Sequence, residues 1–294
     1  MTTLLAKRAL KRTAGLASVL LHRAMPVRPQ PAACVLCYHR VSGVRVREWR
    51  LDDWCVSPEA LDRQIASLRG DVEFVFVRDL CRRLRSAPLP RPLVCLTFDD
   101  GFQNFRDEVL PILQRHDAVA TLFVVSAYVG SAAPMPFDKW GVRHQGNAPA
   151  AAWRAIDWRS LDECARSGLV EIGGHSHLHL NAAVTSADEV TNEAGDCRRL
   201  LTKQLGAEHA MSYAYPYGST RLGQVPPAYV AAVRAAGYDV AVTTDLGVVT
   251  AATNRYCLPR VEVSRSDGPA VVGAKVRGSL APYRFTDRLR RARR

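Results

Sequence analysis

The sequence predicts an α/β fold in which a parallel sheet curls toward a barrel with helices outside. Three observations lead there. Its apolar runs are short and solid rather than alternating, as in Leu93–Phe98 and Ala120–Val125, so both faces of each strand must be covered. Helix-patterned segments separate those runs, which is the alternation of a parallel sheet. Polar, chemically capable residues follow several runs directly, and such folds place their sites at the carboxyl ends of strands. No internal repeat is present.

The elements follow in chain order. After a basic N-terminal segment and the Pro-rich break MPVRPQP, Cys34–Tyr38 reads as the first strand. In SPEALDRQIASLR, Ser57 stands at a cap position and Pro58 at the first helical one, which starts a helix. FVFV, Phe74–Val77, reads as a short strand, DLCRRLRS as a helix and APLPRP as a loop. Then come strand Leu93–Phe98, helix Val109–Arg115, strand Ala120–Val125 and strand Leu169–Gly173. Helix Asp188–Leu205, strand Ser212–Tyr215, helix Pro227–Ala236 and strand Val240–Thr244 complete the series. Between them Ser131–Trp153 is long and rich in Gly, Pro and Ala. Segments of this kind are functional or disordered. Phe137, Trp140 and Trp153, available for stacking, suit it to the rim of a binding groove.

The 294 residues, 48% hydrophobic and 23% charged, suffice for one large domain or two small ones and argue against wholesale disorder. The net charge of +12 is concentrated at the ends: residues 1–30 carry +6 and residues 275–294 carry +7, leaving the body at −1. A nucleic-acid partner is therefore not expected. The N-terminal piece draws as a helix with Leu5, Ala9, Leu16, Val19 and Leu20 opposite its basic side, which fits an anionic membrane surface or a self-packed terminal helix equally well. Gly15–Leu21 is short for an export signal, and no apolar run approaches the roughly 20 residues that span a bilayer. A cytoplasmic protein, peripheral to the inner face of the membrane, is the expectation. The eight cysteines lie scattered in apolar segments without framework spacing, and the Cys34–Cys37 pair has no second pair to complete a zinc site. Reduced, buried thiols are expected.

Three strand ends carry the chemistry. The strand LVCLTF runs into Asp99-Asp100-Gly101; EIGGHSHLHL places His175, His177 and His179 after another strand; YAYPYG, Tyr213–Gly218, turns sharply after a third. Two adjacent carboxylates at the end of an apolar strand repel, and one resists ionisation unless a cation or donors compensate. A divalent metal removes that difficulty, because carboxylate and neutral imidazole are usual zinc ligands. One aspartate would stay ionised beside the cation, and the other could act as a base on water that the metal acidifies. Spacing alone does not choose among the three histidines. Either motif alone is commonplace, as a helix cap or as polar surface; both together, each after an apolar strand, point to a metal site.

At these residues the chain resembles a known family. TFDDG (Thr97–Gly101), HSHLH (His175–His179) and YPYG (Tyr215–Gly218) resemble the polysaccharide deacetylases with a NodB homology domain, carbohydrate esterase family four. The likeness runs from about Cys34 to Val263, including LCYHRV (Leu36–Val41) and LPRVEV ending at Val263. It implies a distorted (β/α)7 barrel; together with the charge distribution it divides the chain into a basic amphipathic segment 1–30, a catalytic domain 31–274 and a basic tail 275–294. The implied activity is metal-dependent hydrolysis of N-acetyl groups from a polysaccharide, oligosaccharide or glycan precursor. O-acetyl esterase or deformylase action on a lipid-linked sugar, or a non-catalytic glycan- or membrane-binding role, are the alternatives. Carried over by motif, Asp99 is the general base, and Asp100, His175 and His179 hold a divalent metal, Zn²⁺ foremost. Tyr217 offers its backbone N–H to the developing oxyanion. The chain departs from the common pattern in having no histidine after His209 and no arginine before the PY pair. His39 in LCYHR then takes the acid role, as in the poly-N-acetylglucosamine deacetylases of this superfamily, and Arg260 in LPR orients Asp99.

Overall fold

A computed structural model describes residues 33–46, 52–86 and 89–280, with the isolated positions 13, 17 and 20. Apart from those three positions, the expected N-terminal amphipathic segment lies outside the described residues, as does most of the basic C-terminal tail. No helix among the described residues is long and apolar enough to cross a membrane.

Seven parallel strands close a barrel: β1 (Ala33–Tyr38), β5 (Leu93–Phe98), β6 (Ala120–Val124), β7 (Val170–Gly174), β8 (Ser212–Ala214), β9 (Val240–Leu246) and β10 (Leu258–Glu262). Closure comes from β1, which pairs with β10 on one side and in register with β5 on the other, Ala33 opposite Leu93 through Tyr38 opposite Phe98. A two-residue strand, β4 (Glu73–Phe74), adds beside the start of β5. A separate small sheet pairs β2 (Arg40–Val41) with β3 (Cys55–Val56). The helices are α1 (Pro58–Leu68), α2 (Val77–Arg85), α3 (Leu110–His116), α4 (Lys139–His144), α5 (Trp158–Arg166), α6 (Ala187–Leu205), α7 (Pro227–Ala235) and α8 (Pro269–Val276).

The solid apolar strands serve two layers, because successive side chains point to opposite faces. On β1, Cys34, Leu36 and Tyr38 join the core beneath the outer helices, whereas Ala33 and Val35 point inward with Leu93, Cys95, Phe123, Ala214 and Val242. That inner cluster is filled by Val77, Leu80 and Leu84 of α2, so α2 plugs the barrel interior. The expected strand Phe74–Val77 is thereby corrected. It ends at Phe74, and Val77 opens a helix whose first N–H groups are capped by other strands: Val77 N donates to Thr121 Oγ1 at 3.1 Å and Arg78 N to Glu171 Oε2 at 3.2 Å. Thr121 and Ser212 donate to the two oxygens of Glu171 at 2.6 and 2.7 Å. A buried carboxylate with these donors sits where a helix N-terminus favours it.

The expected helix from Val109 is preceded by a π-turn, Phe105–Val109. The boundary placed at residue 275 falls inside α8, where Lys275 is 3% exposed and paired with Asp267 at 2.6 Å.

Candidate active site

Strand periodicity builds the site above the apolar plug. Every second residue of β1 and β5 faces inward, so Cys37 and His39 continue the line of Ala33 and Val35, and Thr97 and Asp99 that of Leu93 and Cys95. Arg260 enters the same space from β10 and is 2% exposed. Its guanidinium grips Asp99 with both forks, Nη1 to Oδ1 and Nη2 to Oδ2, each at 2.7 Å. Nε donates to the Thr243 carbonyl at 2.9 Å, and Nη1 also reaches Thr97 Oγ1 at 3.2 Å. Burial pushes the Asp99 carboxyl up, but Arg260, then His175, outweigh it and hold the group well below the usual carboxylate range. Two neighbouring acids can coexist because Asp99 is paired with Arg260, which leaves Asp100 as the carboxylate that a cation could hold.

Adjacent residues of a strand face opposite ways, so Asp100 can share the site only if the chain leaves the extended form. It does so with φ of 76° at Asp100 and 74° at Gly101. At Gly101 an added Cβ would stand 3.2 Å from the Val124 side chain. After β7 the chain again turns through positive φ, 64° at both Ser176 and His179. This brings His175 and His179 together. Their Nε2 atoms lie 3.5 and 3.6 Å from Asp100 Oδ1, and the three ligand atoms all fall within 4.8 Å of one another. His177 turns away to Ser126, its Nδ1 2.9 Å from Oγ. The choice that spacing left open is thus made by the backbone turn.

The donor set fits one divalent cation. His175 Nδ1 lies 2.8 Å from the Ala214 carbonyl, which occupies that nitrogen and leaves Nε2 as the atom that faces Asp100 and could ligate a metal. Burial pushes His179 down to about 3, the neutral form a ligand requires. Burial also pushes down on His175, but Asp99, then Asp100, outweigh it and raise that ring, so its Nε2 proton is the one a metal would displace. A second trio, Cys37, His39 and Asp99, is also compact. It suits a cation poorly: Arg260 covers both Asp99 oxygens, and burial drives the Cys37 thiol well above its ordinary value.

His39 borders the same oxygen of Asp99 as His175 does, each Nε2 4.0 Å from Oδ2. Tyr217 borders His179, its ring edge-on with centroids 5.0 Å apart. It adopts φ of 59°, and Gly218 follows with 62°; Thr244 fixes this turn by donating from Oγ1 to the Tyr217 carbonyl at 2.7 Å and from N to the Gly218 carbonyl at 2.9 Å. All seven residues singled out from sequence, Asp99, Asp100, His175, His179, His39, Tyr217 and Arg260, therefore meet in one cleft.

A family model described as polysaccharide deacetylase matches residues 86–241. This chain belongs to the polysaccharide deacetylase family. The deacetylase is 23% identical over 251 residues to a poly-β-1,6-N-acetyl-D-glucosamine N-deacetylase of Staphylococcus aureus, covering 79% of each chain. To the Escherichia coli protein of the same name it is 34% identical over 149 residues, 45% of this chain and 21% of that one. The structure of Streptococcus pyogenes deacetylase PplD in complex with acetate matches with a TM-score of 0.68 at 22% identity, over 83% of this chain and 97% of that one. IcaB from Ammonifex degensii matches at 0.65 and 24% identity, over 83% and 97%. These structural matches speak for the fold, the (β/α)7 barrel. As a family member the deacetylase is a hydrolase of carbon–nitrogen bonds other than peptide bonds.

The segment Ser131–Trp153 of the deacetylase does form a wall of the site, through Phe137. Its ring stacks on His179 with centroids 3.8 Å apart and planes 11° from parallel. Trp140 is not available for stacking on a ligand. It is 1% exposed because it packs on Arg40, whose guanidinium carbon lies 4.3 Å from the Trp140 ring and 4.1 Å from Phe102. Arg40 also pairs with Asp138 and donates to the Ala152 carbonyl, so one buried cation clamps both ends of the wall. Sequence reasoning missed Arg40. Its only signal was an arginine inside an apolar strand sequence, where an unpaired charge would be untenable.

Proposed function

We propose that this deacetylase removes N-acetyl groups from an N-acetylated glycan, with poly-β-1,6-N-acetylglucosamine as the first substrate to test, and that a divalent metal assists. The observation that carries the reading is the convergence of one carboxylate and two imidazoles beside a second carboxylate held ionised by Arg260. The name of the Staphylococcus aureus relative, matched over 79% of both chains, supports the substrate class.

A divalent ion bound by Asp100, His175 and His179 would supply Lewis acidity at the acyl oxygen and lower the pKa of water. The protein performs the rest. Asp99, ionised by its pair with Arg260, takes a proton from the attacking water as the water oxygen bonds to the acyl carbon. The Tyr217 N–H donates to the oxyanion as the carbonyl double bond opens, and its donor direction is preset by the turn at Tyr217-Gly218. His39 delivers a proton to the amide nitrogen, the carbon–nitrogen bond breaks, and acetate and a free amine leave. Phe137 and Tyr217 shield the His179 side from bulk water.

Acetate released from poly-β-1,6-N-acetylglucosamine tests this, with the Asp99→Asn protein as control. Stoichiometric acetate and amine from the wild type, lost in the variant, is the expected result. An ion-loaded enzyme that releases no acetate from this polymer or from any N-acetylated oligosaccharide would overturn the proposal.

A further inference from the structure

Two large aromatic side chains stand exposed among the described residues, Trp54 at 40% and Tyr217 at 46%. Each borders the site through a different histidine. Tyr217 meets the edge of His179, while Trp54 meets His39 nearly at right angles, 87°, with centroids 4.5 Å apart. Nothing in the mechanism above uses Trp54.

Its surroundings are built to hold it still. Arg265, on the segment after β10, ties both flanks of Trp54: Nη1 pairs with Asp52 at 2.9 Å and donates to the Cys55 carbonyl at 3.3 Å, and its N–H donates to the Asp53 carbonyl at 3.0 Å. Asp52 is itself 3% exposed and Cys55 fully buried. An indole that is anchored yet open to solvent presents a large rigid face at little entropic cost on binding.

We infer that Trp54 is the stacking platform for the sugar ring that carries the scissile amide. The inference rests on the function proposed above, because that function gives the amide a direction. Its acyl end lies toward Tyr217 and His179, and its nitrogen toward His39. The pyranose attached to that nitrogen must therefore lie on the His39 side, where Trp54 is the exposed aromatic among the described residues. The apolar C–H face of a pyranose is the surface that such a ring takes. The substrate class is accordingly an N-acylated hexosamine whose ring is part of what is recognised, rather than any small acetamide or acetyl ester.

The test compares Trp54→Ala and Trp54→Phe on two substrates, a short β-1,6-linked N-acetylglucosamine oligomer and an aryl acetate with no sugar ring. Oligomer binding to Asp99→Asn proteins with and without Trp54→Ala is measured by calorimetry. The expected result is a rise of about tenfold in KM and in Kd for the oligomer with Trp54→Ala. The ratio of oligomer to aryl-acetate kcat/KM should fall by about the same factor, and Trp54→Phe should restore most of it. Equal losses on both substrates would mean that Trp54 merely supports His39 or the loop, and would overturn the inference. So would an unchanged oligomer Kd and KM. If the wild type binds the oligomer in a Trp54-dependent way but releases no acetate, the proposed function fails and the platform stands.

Discussion

Replacing Arg260 with methionine removes a pair on which the base depends. The side chain makes two 2.7 Å contacts to Asp99 and a third hydrogen bond to the Thr243 carbonyl, all with both residues 2% exposed. Breaking a buried pair from one side costs about 3–5 kcal/mol, because the remaining charge is left uncompensated. For a chain of this size each kcal/mol lowers Tm by roughly 2–4 °C, so a drop on the order of 10 °C is expected by calorimetry. The molecule can escape part of this cost by protonating Asp99. Burial already pushes that carboxyl upward, and Arg260 is the largest influence opposing it. In the wild type the folded pKa is depressed, so the stabilisation is present above the unfolded carboxylate pKa of about 3.9 and fades only as pH falls through the folded value. In Arg260→Met the sign reverses: stability should improve as pH is lowered through the mildly acidic range, and activity should be recovered only as pH rises. Loss of an ionised base at neutral pH is worth about 10²–10⁴ in rate. Arg260→Lys, which keeps the charge but not the fork, should fall between. An Arg260→Met protein with wild-type Tm and an unshifted pH–rate profile would refute the reasoning.

Three further outcomes follow from the same geometry. Asp99→Asn removes the base while leaving the site's shape, and acetate release should fall by about 10²–10⁴ with the circular dichroism spectrum unchanged. At Gly218 an added Cβ would stand 2.8 Å from the Tyr215 carbonyl at φ 62°, so Gly218→Ala should displace the Tyr217 amide; a kcat loss approaching the roughly 10²–10³ of one oxyanion donor is expected, with a smaller change in KM. Arg40→Met should release the wall 131–153, seen as new cleavage within that segment under limited proteolysis and as loss of the Phe137 stack on His179.

Much of the site was legible because strand ends are marked in one dimension. A solid apolar run followed by Asp99-Asp100-Gly101 places two acids at a barrel mouth, and Gly101 announces a turn. What could not be read is what other strands contribute. Val77 looks like the end of an apolar strand, yet Thr121 and Glu171, from β6 and β7, cap it into a helix. Arg40 and Asp138 form their pair across 98 positions. Helices α5 and α8 were not anticipated although Asp157 caps the first and Pro269 opens the second, since short apolar-poor or small-residue segments give weak periodicity. Spacing could not choose among His175, His177 and His179; the motif resemblance named the outer two, and the positive φ at Ser176 and His179 is the physical reason they meet.

Under the proposed function one cation sits among Asp100, His175 and His179 and is needed for hydrolysis. Metal content of purified wild type, His179→Ala and Asp100→Ala, measured by plasma mass spectrometry alongside acetate release before and after chelation, tests it most directly. Close to one equivalent of divalent metal in the wild type, near none in either variant, and activity lost on chelation and regained with zinc is the predicted result. Full acetate release by metal-free wild-type protein would rule out a metal-dependent hydrolysis.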